Sequence, residues 1–594
     1  MQLTKRYGFL QSFPAHVPSS MAFALILVLA SRASGQQRGE PQTSDIPAAT
    51  VTHEIKGTVK VTVDANKPKG FLAPRALGVS WDMTGNDIAD PLLPKILMFS
   101  GTTTLRYPGS SFADSYHWST NKTTFGQGTA NPQNDFGSFV KLLDQFGTAV
   151  ITVNYGSNLD GTGGGTPEEA AAWVAYAMGD PSNTKPIGKD AAGHDWRTVG
   201  YWASIRASQS LATDDSLNFL RIAHPNPILI KYWEVGNEVY RNGYYDGNGP
   251  EQDMHVPYVK DPKDNEKQRK RNQALSPDAY GSALLQFARA MKAVDNRIKV
   301  GASLDIPLAG DWNVSAEWVE DPLHPGRYVQ KGTAEAAGLG GVQKSFDAGI
   351  DWDKNVLRVA GKDIDFVSLH WYIGDTTEAS HFTDLDNAKI LMKPQEELPN
   401  ILAALVDMFH KYCGQNIQNI QVLVTELGLK SHVNVPDKIV PALFAADAYA
   451  TLVEDGVANA DWAELHKGFL QDEDKLAPAG AVYYAPQLVR VMADLNDTIV
   501  TAGSSNSLLA AHAAVHKDGS VGIMLINKDP KNNATTKIAV SGINLATSGT
   551  RYDYGKSNRP DQYAIPGATV DLGNNFTVSV PSYTATVLVI PKAK

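Results

Sequence analysis

Between about Phe71 and Pro478 short apolar runs alternate with long helical segments, and no other feature limits the possible folds so tightly. The runs are RALGVSWDM, TTTLRYPG, AVITVNYG, ILIKYWEVGNE, IKVGAS, IDFVSLHWY, IQVLVTELG and a weakly marked ADWAELH. They number eight, the count a (β/α)8 barrel requires. Strands separated by helices imply parallel pairing and right-handed crossovers, and the strand count favours a closed barrel over an open sheet. The helices carry readable starts. TPEEAAAWVAYAM offers Thr166 as N-cap, Pro167 at the first helical position and Glu169 three residues after the cap, the pattern of a capping box. SPDAYGSALLQFARAMKAVD repeats the Ser-Pro opening, and Ala283, Leu284, Phe287, Ala288 and Met291 recur at helical spacing.

At 594 residues the chain exceeds one ordinary domain, so a smaller unit is expected beside the barrel. HEIKGTVKVTVDA alternates apolar and polar residues with a period of two, as a half-buried strand does. After about Gly480 the helical pattern fades into SLLAAHAAVHKDG, SVGIMLINKD, TKIAVSGI, TVDLG, FTVSVPS and TATVLVIPK, separated by turn residues. This predicts an accessory antiparallel β-sandwich to which the early strand contributes. The expected division is a signal peptide over 1–35, a linker over 36–50, an N-terminal sandwich strand over 51–70, the barrel over 71–479 and the C-terminal sandwich over 480–594.

The signal peptide rests on Lys5 and Arg6, the apolar block Met21–Ala30 and small residues near Gly35. A start at Met21 would remove both basic residues. The apolar block is ten residues long, short of the ~20 a permanent span needs, so export to the periplasm or beyond is expected without stable membrane insertion. A net charge of -10 gives no footprint for nucleic acid, and the basic stretch Lys263–Arg271 is interrupted by acids. The single cysteine, Cys413, excludes an internal disulfide and reads as a packed thiol near a helix end. Sequons stand at Asn121, Asn313, Asn496, Asn533 and Asn575. Oligomeric state is not legible.

In a barrel of this kind the C-terminal strand ends form the reactive face. The polar residues there are Arg106 in LRYPG, Asn154 and Tyr155 in VNYG, Asn237 and Glu238 in EVGNE, His370 and Tyr372 in LHWY, and Glu426 in VTELG. Two carboxylates at the ends of different strands are what glycoside hydrolysis uses: one protonates the departing oxygen and the other attacks the anomeric carbon. Glu234, four residues before Glu238 and inside the apolar run, reads as a supporting barrel-interior carboxylate that needs a partner. Asn154 and Tyr155 are read either as substrate contacts or as residues shaping the loop before GTGGGTPEE. That Gly-rich loop lacks a following Gly-Lys-Ser/Thr and is expected to be flexible at the barrel mouth. Trp81, Trp118, Trp371 and Trp462 flank strand ends and are candidates to stack on sugar faces, or else are buried as packing, as tryptophans are at least as often. No metal-ligand spacing and no Gly-x-Ser-x-Gly elbow is present, so no cofactor is expected.

An Asn-Glu pair after the fourth run with a Glu ending the seventh resembles the clan of retaining glycosidases built on (β/α)8 barrels. LRYPGSSFADSYHW, VNYG, KYWEVGNEVY and HWY resemble in particular the α-L-arabinofuranosidases of family 51 and the β-xylosidases of family 39. The resemblance implies Glu238 as acid/base, Glu426 as nucleophile, Asn237 on the sugar hydroxyl beside the anomeric carbon, and His370 or Tyr372 bordering the nucleophile. Arg106 is the candidate to keep the nucleophile charged, or else a structural ion pair. The expected activity is removal of α-L-arabinofuranosyl groups from a polysaccharide or oligosaccharide. A β-xylosidase, an endoglucanase, a β-glucuronidase and a non-catalytic carbohydrate-binding protein remain as alternatives. The insertion from Tyr240 to Ala274 departs from the shorter loop expected of the family and bears on sugar specificity.

Overall fold

A computed structural model describes residues 54–81, 83, 88, 90–124, 131–241, 253–256, 274–305, 318–320, 328–330, 349–373, 384–429, 439–465, 469, 482–556 and 564–594. The expected signal segment, the linker, the Lys263–Arg271 stretch, Asn313 and most of the Tyr240–Ala274 insertion lie outside the described residues.

The first strand is β1 (Val59–Phe71). It is followed by β2 (Leu77–Ser80), β3 (Thr104–Tyr107), β4 (Thr148–Val153), β5 (Tyr232–Val235), β6 (Lys299–Ser303), β7 (Phe366–Ile373), β8 (Gln421–Leu429) and β9 (Asn459–Trp462). Strands β2 to β9 close into an eight-stranded barrel, every pair parallel. Each of the eight runs read from the sequence supplies one strand, the weakly marked last run included. Their near-continuous burial follows from being covered on both faces. β9 is weakly marked because it carries the buried Asn459 and Asp461. Gly78 of β2 makes room for Asp461: a Cβ there would stand 1.6 Å from its Oδ1.

The helices are α1 (Leu93–Ser100), α2 (Phe136–Phe146), α3 (Pro167–Met178), α4 (Val199–Ala207), α5 (Pro277–Val294), α6 (Gly349–Ala360), α7 (Asp384–Tyr412), α8 (Ile439–Glu454) and α9 (Tyr484–Met492). Helix α5 begins as read, with the Ser276 side chain accepting the Ala279 N–H. It buries Leu284, Phe287, Ala288 and Met291, and Ala283 packs half-buried beside them. The capping box of α3 is only half formed. Thr166 accepts the Glu169 N–H, but the Glu169 carboxylate turns to His117 Nδ1 at 2.9 Å, a buried partner that outcompetes the helix terminus. Cys413 directly follows α7, fully buried, and burial pushes its thiol up to about 12. No helix among the described residues is long and apolar enough to cross a membrane.

The second unit contains β10 (Thr498–Ser504), β11 (Leu509–Val515), β12 (Val521–Asn527), β13 (Ala534–Ser541), β14 (Ser548–Gly555), β15 (Gly567–Asp571), β16 (Asn575–Val580) and β17 (Thr584–Ile590). With β1 they form a nine-stranded sheet in the order β15-β14-β17-β12-β11-β10-β1-β13-β16. All pairs are antiparallel except β1 with β13, which run parallel. The sheet curls so that β16 lies against β12 and β17, enclosing a core of Val61, Val63, Ile523, Leu525, Ile538 and Leu588. Helix α9 packs on α1 and α8 of the barrel and on β12 and β17 of the sheet, joining the two units.

Candidate active site

Arg106 of β3 is fully buried inside the barrel, and its fixed fork of donors organises the C-terminal face. Nη1 bonds Glu426 Oε1 at 2.7 Å, Nε bonds Glu234 Oε2 at 2.9 Å, and Nη2 bonds Asn237 Oδ1 at 2.7 Å. Glu234 is the supporting carboxylate expected of it. Burial pushes its acidity one way, but Arg106, His370, Ser368 and Thr152 hold its carboxyl below the usual value. Thr152 and Thr425 hydroxyls complete its shell at 2.7 and 3.0 Å. Across the barrel the buried Asp461 is pushed up to about 8 by burial, with Glu234 and Glu426 adding to the shift. A protonated Asp461 leaves the positive charge of Arg106 to the other two acids.

The turn after β5 is built for close approach. Gly236 has φ 74 and Glu238 φ 46, both left-handed. A Cβ on Gly236 would stand 2.4 Å from Val239 Cγ2 and 2.9 Å from Tyr155 Cβ, so the turn needs glycine there. A glutamate with positive φ is uncommon and is held only by its surroundings. The Glu238 carboxylate accepts the Tyr240 hydroxyl at 3.0 Å and meets His370 Nδ1 at 2.9 Å.

Glu426 reaches the same space by a bulge. The β7–β8 ladder slips one residue between Leu369 and His370, leaving Thr425 as an extra residue on β8. Neighbours in a regular strand face opposite ways. Here both Thr425 and Glu426 turn inward, the first to Glu234 and the second to Arg106. The Tyr372 hydroxyl donates to Glu426 Oε2 at 2.6 Å. Burial, then the neighbouring Glu426, pushes this phenol well up, so it stays a donor. His370 Nδ1 lies 3.4 Å from Glu426 Oε2, between the two glutamates. One ligand atom each from Glu238, His370 and Glu426 lie within 4.8 Å of one another. That set could share a small cation, which would compete with Arg106 and Tyr372 for the Glu426 oxygens.

Arg106, Asn237, Glu238, His370, Tyr372 and Glu426 are therefore brought together, and other expected residues are not. Trp371 is fully buried and stacks on Phe444 of α8 at 5.4 Å between ring centres, and Trp462 meets the same ring edge-on at 6.4 Å. Both rings pack against a helix of the outer layer, which favours a packing part over a sugar platform. Trp81 is also fully buried, and Trp118 stacks on Trp173. Asn154 spends its amide on the Tyr116 carbonyl and on Ser157. Tyr155 is buried against His255 and Tyr280. Their contacts favour the loop-shaping reading. The Gly-rich segment is not a loose loop: Asn158 Oδ1 accepts the N–H groups of Thr162 and Gly163, and the His255 ring lies where a Cβ of Gly164 would be.

Sequence reasoning missed Asp114, Tyr240 and Asp461. Tyr240 stands two residues after Glu238, and Asp114 lies within the LRYPGSSFADSYHW segment, but neither ends an apolar run. Asp461 sits in the run that was hardest to recognise as a strand.

No family model matches the chain. In sequence it is 26% identical over 207 residues to a probable α-L-arabinofuranosidase C of Aspergillus fumigatus, a stretch covering 33% of this chain and 28% of that protein. The matched chain thus spans less than a third of the length of that curated relative. In structure it is similar to the α-L-arabinofuranosidase of Thermotoga maritima solved as an arabinose complex, with a TM-score of 0.59 and 18% identity over 90% of this chain and 100% of that one. The family 51 α-L-arabinofuranosidase of Thermotoga petrophila matches with a TM-score of 0.61 and 17% identity over the same shares, 90% and 100%. The chain has the fold of the family 51 α-L-arabinofuranosidases, a (β/α)8 barrel with an accessory β-sheet unit, and is related in sequence to proteins of that name.

Proposed function

We propose that the protein is a retaining α-L-arabinofuranosidase in which Glu426 is the nucleophile and Glu238 the acid/base. One observation carries the assignment of roles. Glu426 is bonded by a guanidinium and a phenol, both of which stabilise an ionised carboxylate and suit it to the nucleophile's part; the partners of Glu238 include a hydroxyl and an imidazole. The approach of the two carboxylates within 4.8 Å supports retention, for which carboxyl groups stand ~5 to 5.5 Å apart, against the ~6.5 to 9.5 Å of inverting enzymes.

In the proposed cycle a Glu426 oxygen attacks the anomeric carbon as Glu238 gives its proton to the departing oxygen, and the glycosidic bond breaks. Glu238, now a base, takes a proton from water; the hydroxide oxygen bonds the anomeric carbon, and Glu426 leaves as carboxylate. Asn237, its amide oriented by Arg106, donates to the neighbouring sugar hydroxyl. The arabinofuranosyl specificity is supported by the sequence relatives and the solved structures, and export by the apolar block Met21–Ala30.

A panel of aryl glycosides tests the reading. The α-L-arabinofuranoside is expected to be cleaved fastest, with proton magnetic resonance showing the α-anomer released first. Glu426→Gln and Glu238→Gln should each remove most turnover, and azide should rescue the second on an activated substrate. Faster cleavage of a β-xyloside, or polymer cleavage without exo-activity, would redirect the specificity. Binding without hydrolysis across the panel would point to the carbohydrate-binding alternative.

A further inference from the structure

Behind the Asn237–Glu238 segment stands a carboxylate that takes no part in the bond changes described above. Asp114 ends a single 3-10 turn, Ser111–Asp114, and is buried. Its Oδ1 accepts the Tyr155 N–H at 3.2 Å and its Oδ2 accepts the Asn237 N–H at 3.0 Å. Tyr155 follows β4 and Asn237 follows β5, so one side chain ties together the C-terminal ends of the third and fourth barrel strands. The Asp114 carbonyl also accepts the Ser157 hydroxyl at 3.1 Å, anchoring the clamp to the loop after β4. The backbone it grips is left-handed at Gly236 and Glu238, a conformation that persists only where neighbouring contacts over-determine it.

We propose that Asp114 is the positioning residue for Glu238, holding the strained backbone that aims the acid/base carboxyl at the leaving-group oxygen. The proposal rests on Glu238 being the acid/base. It also predicts a pH dependence. The groups facing Asp114 are Asp253 and His255 from the 253–256 segment, Glu234 from β5, Tyr155 after β4 and Tyr280 on α5. Burial pushes Asp114 up to about 7, opposed by its two backbone donors and reinforced by Asp253 and Glu234. A proton on either oxygen weakens the clamp, so positioning is lost as pH falls through about 7.

Asp114→Asn keeps the shape but sets an amide NH2 against one backbone donor. With a phenyl α-L-arabinofuranoside, whose poor leaving group needs a proton, kcat/KM should fall by about 10- to 100-fold, the scale of a misaimed catalytic group. With a dinitrophenyl leaving group, which departs without acid help, the loss should be small. The ionisation near pH 7 on the acid side of the phenyl profile should vanish in the variant, leaving the lower one that the nucleophile Glu426 itself imposes. Equal losses on both substrates, or an unchanged acid limb, would overturn the proposal. Glu238→Gln on the same two substrates separates the layers: if it shows no dependence on leaving group, the acid/base assignment fails first. Should Asp114→Asn not unfold cooperatively, the unmodified protein decides. An extra ionisation near pH 7 with the phenyl substrate alone supports the clamp, and identical profiles for the two substrates overturn it.

Discussion

A guanidinium and a phenol converge on one carboxylate at the end of the seventh barrel strand. Arg106 takes one oxygen of Glu426 and Tyr372 the other. Hydrogen bonds to a charged group are worth about 1.5 to 3 kcal/mol. Tyr372→Phe is therefore expected to lower kcat/KM by roughly 10- to 100-fold, with a stability loss of no more than about 3 kcal/mol, that of the one bond; steady-state kinetics beside calorimetry checks both halves. At this scale the inward residues were legible because each is a polar group closing an apolar run. The tryptophans were left between sugar stacking and packing, and their surroundings favour packing. Trp371 lies between His370 and Tyr372, and strand side chains alternate, so two inward neighbours oblige Trp371 to face the helices. The period that identified the strand could have excluded the sugar-platform reading. Thr425 and Glu426 both turn inward through a bulge, which no period predicts.

Elements are held by capping groups that the sequence reveals unevenly. Thr166 and Ser276 at helix starts announce themselves through the Pro that follows each. The end of α3 is held by a residue far along the chain. Arg206 of α4 donates to the carbonyls of Tyr176, Ala177 and Gly179 at that end, and to those of His224 and Pro225. Among the described residues no carboxylate forms a salt bridge with this buried arginine; the helix C-terminal carbonyls, which carry partial negative charge, stabilise it, with Asp180 adding to them. Arg206→Met should cost on the order of 3 kcal/mol, since several buried acceptors lose their donor at once. Chemical denaturation would measure it, and a loss below about 1 kcal/mol would show that water replaces the arginine. Two sheet strands, β10 and β14, escaped the sequence reading. TIVTAGS ends in small residues and SGTRYDYG carries Gly, Arg and Asp, and most of the β14 side chains are only half-buried, so neither shows clean alternation.

At the scale of the molecule, the barrel and the sheet meet through buried charge as well as through α9. His512 of β11 sits between two acids of α8, with Nδ1 2.7 Å from Glu454 and Nε2 2.9 Å from Asp447. Lys528 adds a contact to Asp447 at 2.7 Å and Lys69 one to Glu454 at 2.6 Å. Burial opposes charge on His512, but the two carboxylates more than offset it and push the imidazole up to about 9. A raised value in the folded state stabilises fully below the ordinary value of about 6.5 and loses its effect as pH rises through about 9. The thermal midpoint should therefore fall between pH 7 and 10. His512→Gln should lower it at pH 7 and flatten that slope, and an unchanged slope would remove the histidine from the explanation. Barrel and accessory sheet were legible as units because strand count and the loss of helical period are global features. Their interface was not, because Asp447, Glu454, His512, Lys69 and Lys528 are scattered along the sequence and no spacing pairs them.

The central claim is that Glu426 forms a covalent bond to the sugar while Glu238 supplies and withdraws the proton. Mass spectrometry of Glu238→Gln after mixing with dinitrophenyl α-L-arabinofuranoside tests it most directly, because fast attack and slowed hydrolysis should accumulate the intermediate. The predicted result is a single pentosyl group on the peptide containing Glu426, released on addition of azide. An adduct on any other residue, or full turnover with no adduct, would contradict the assignment.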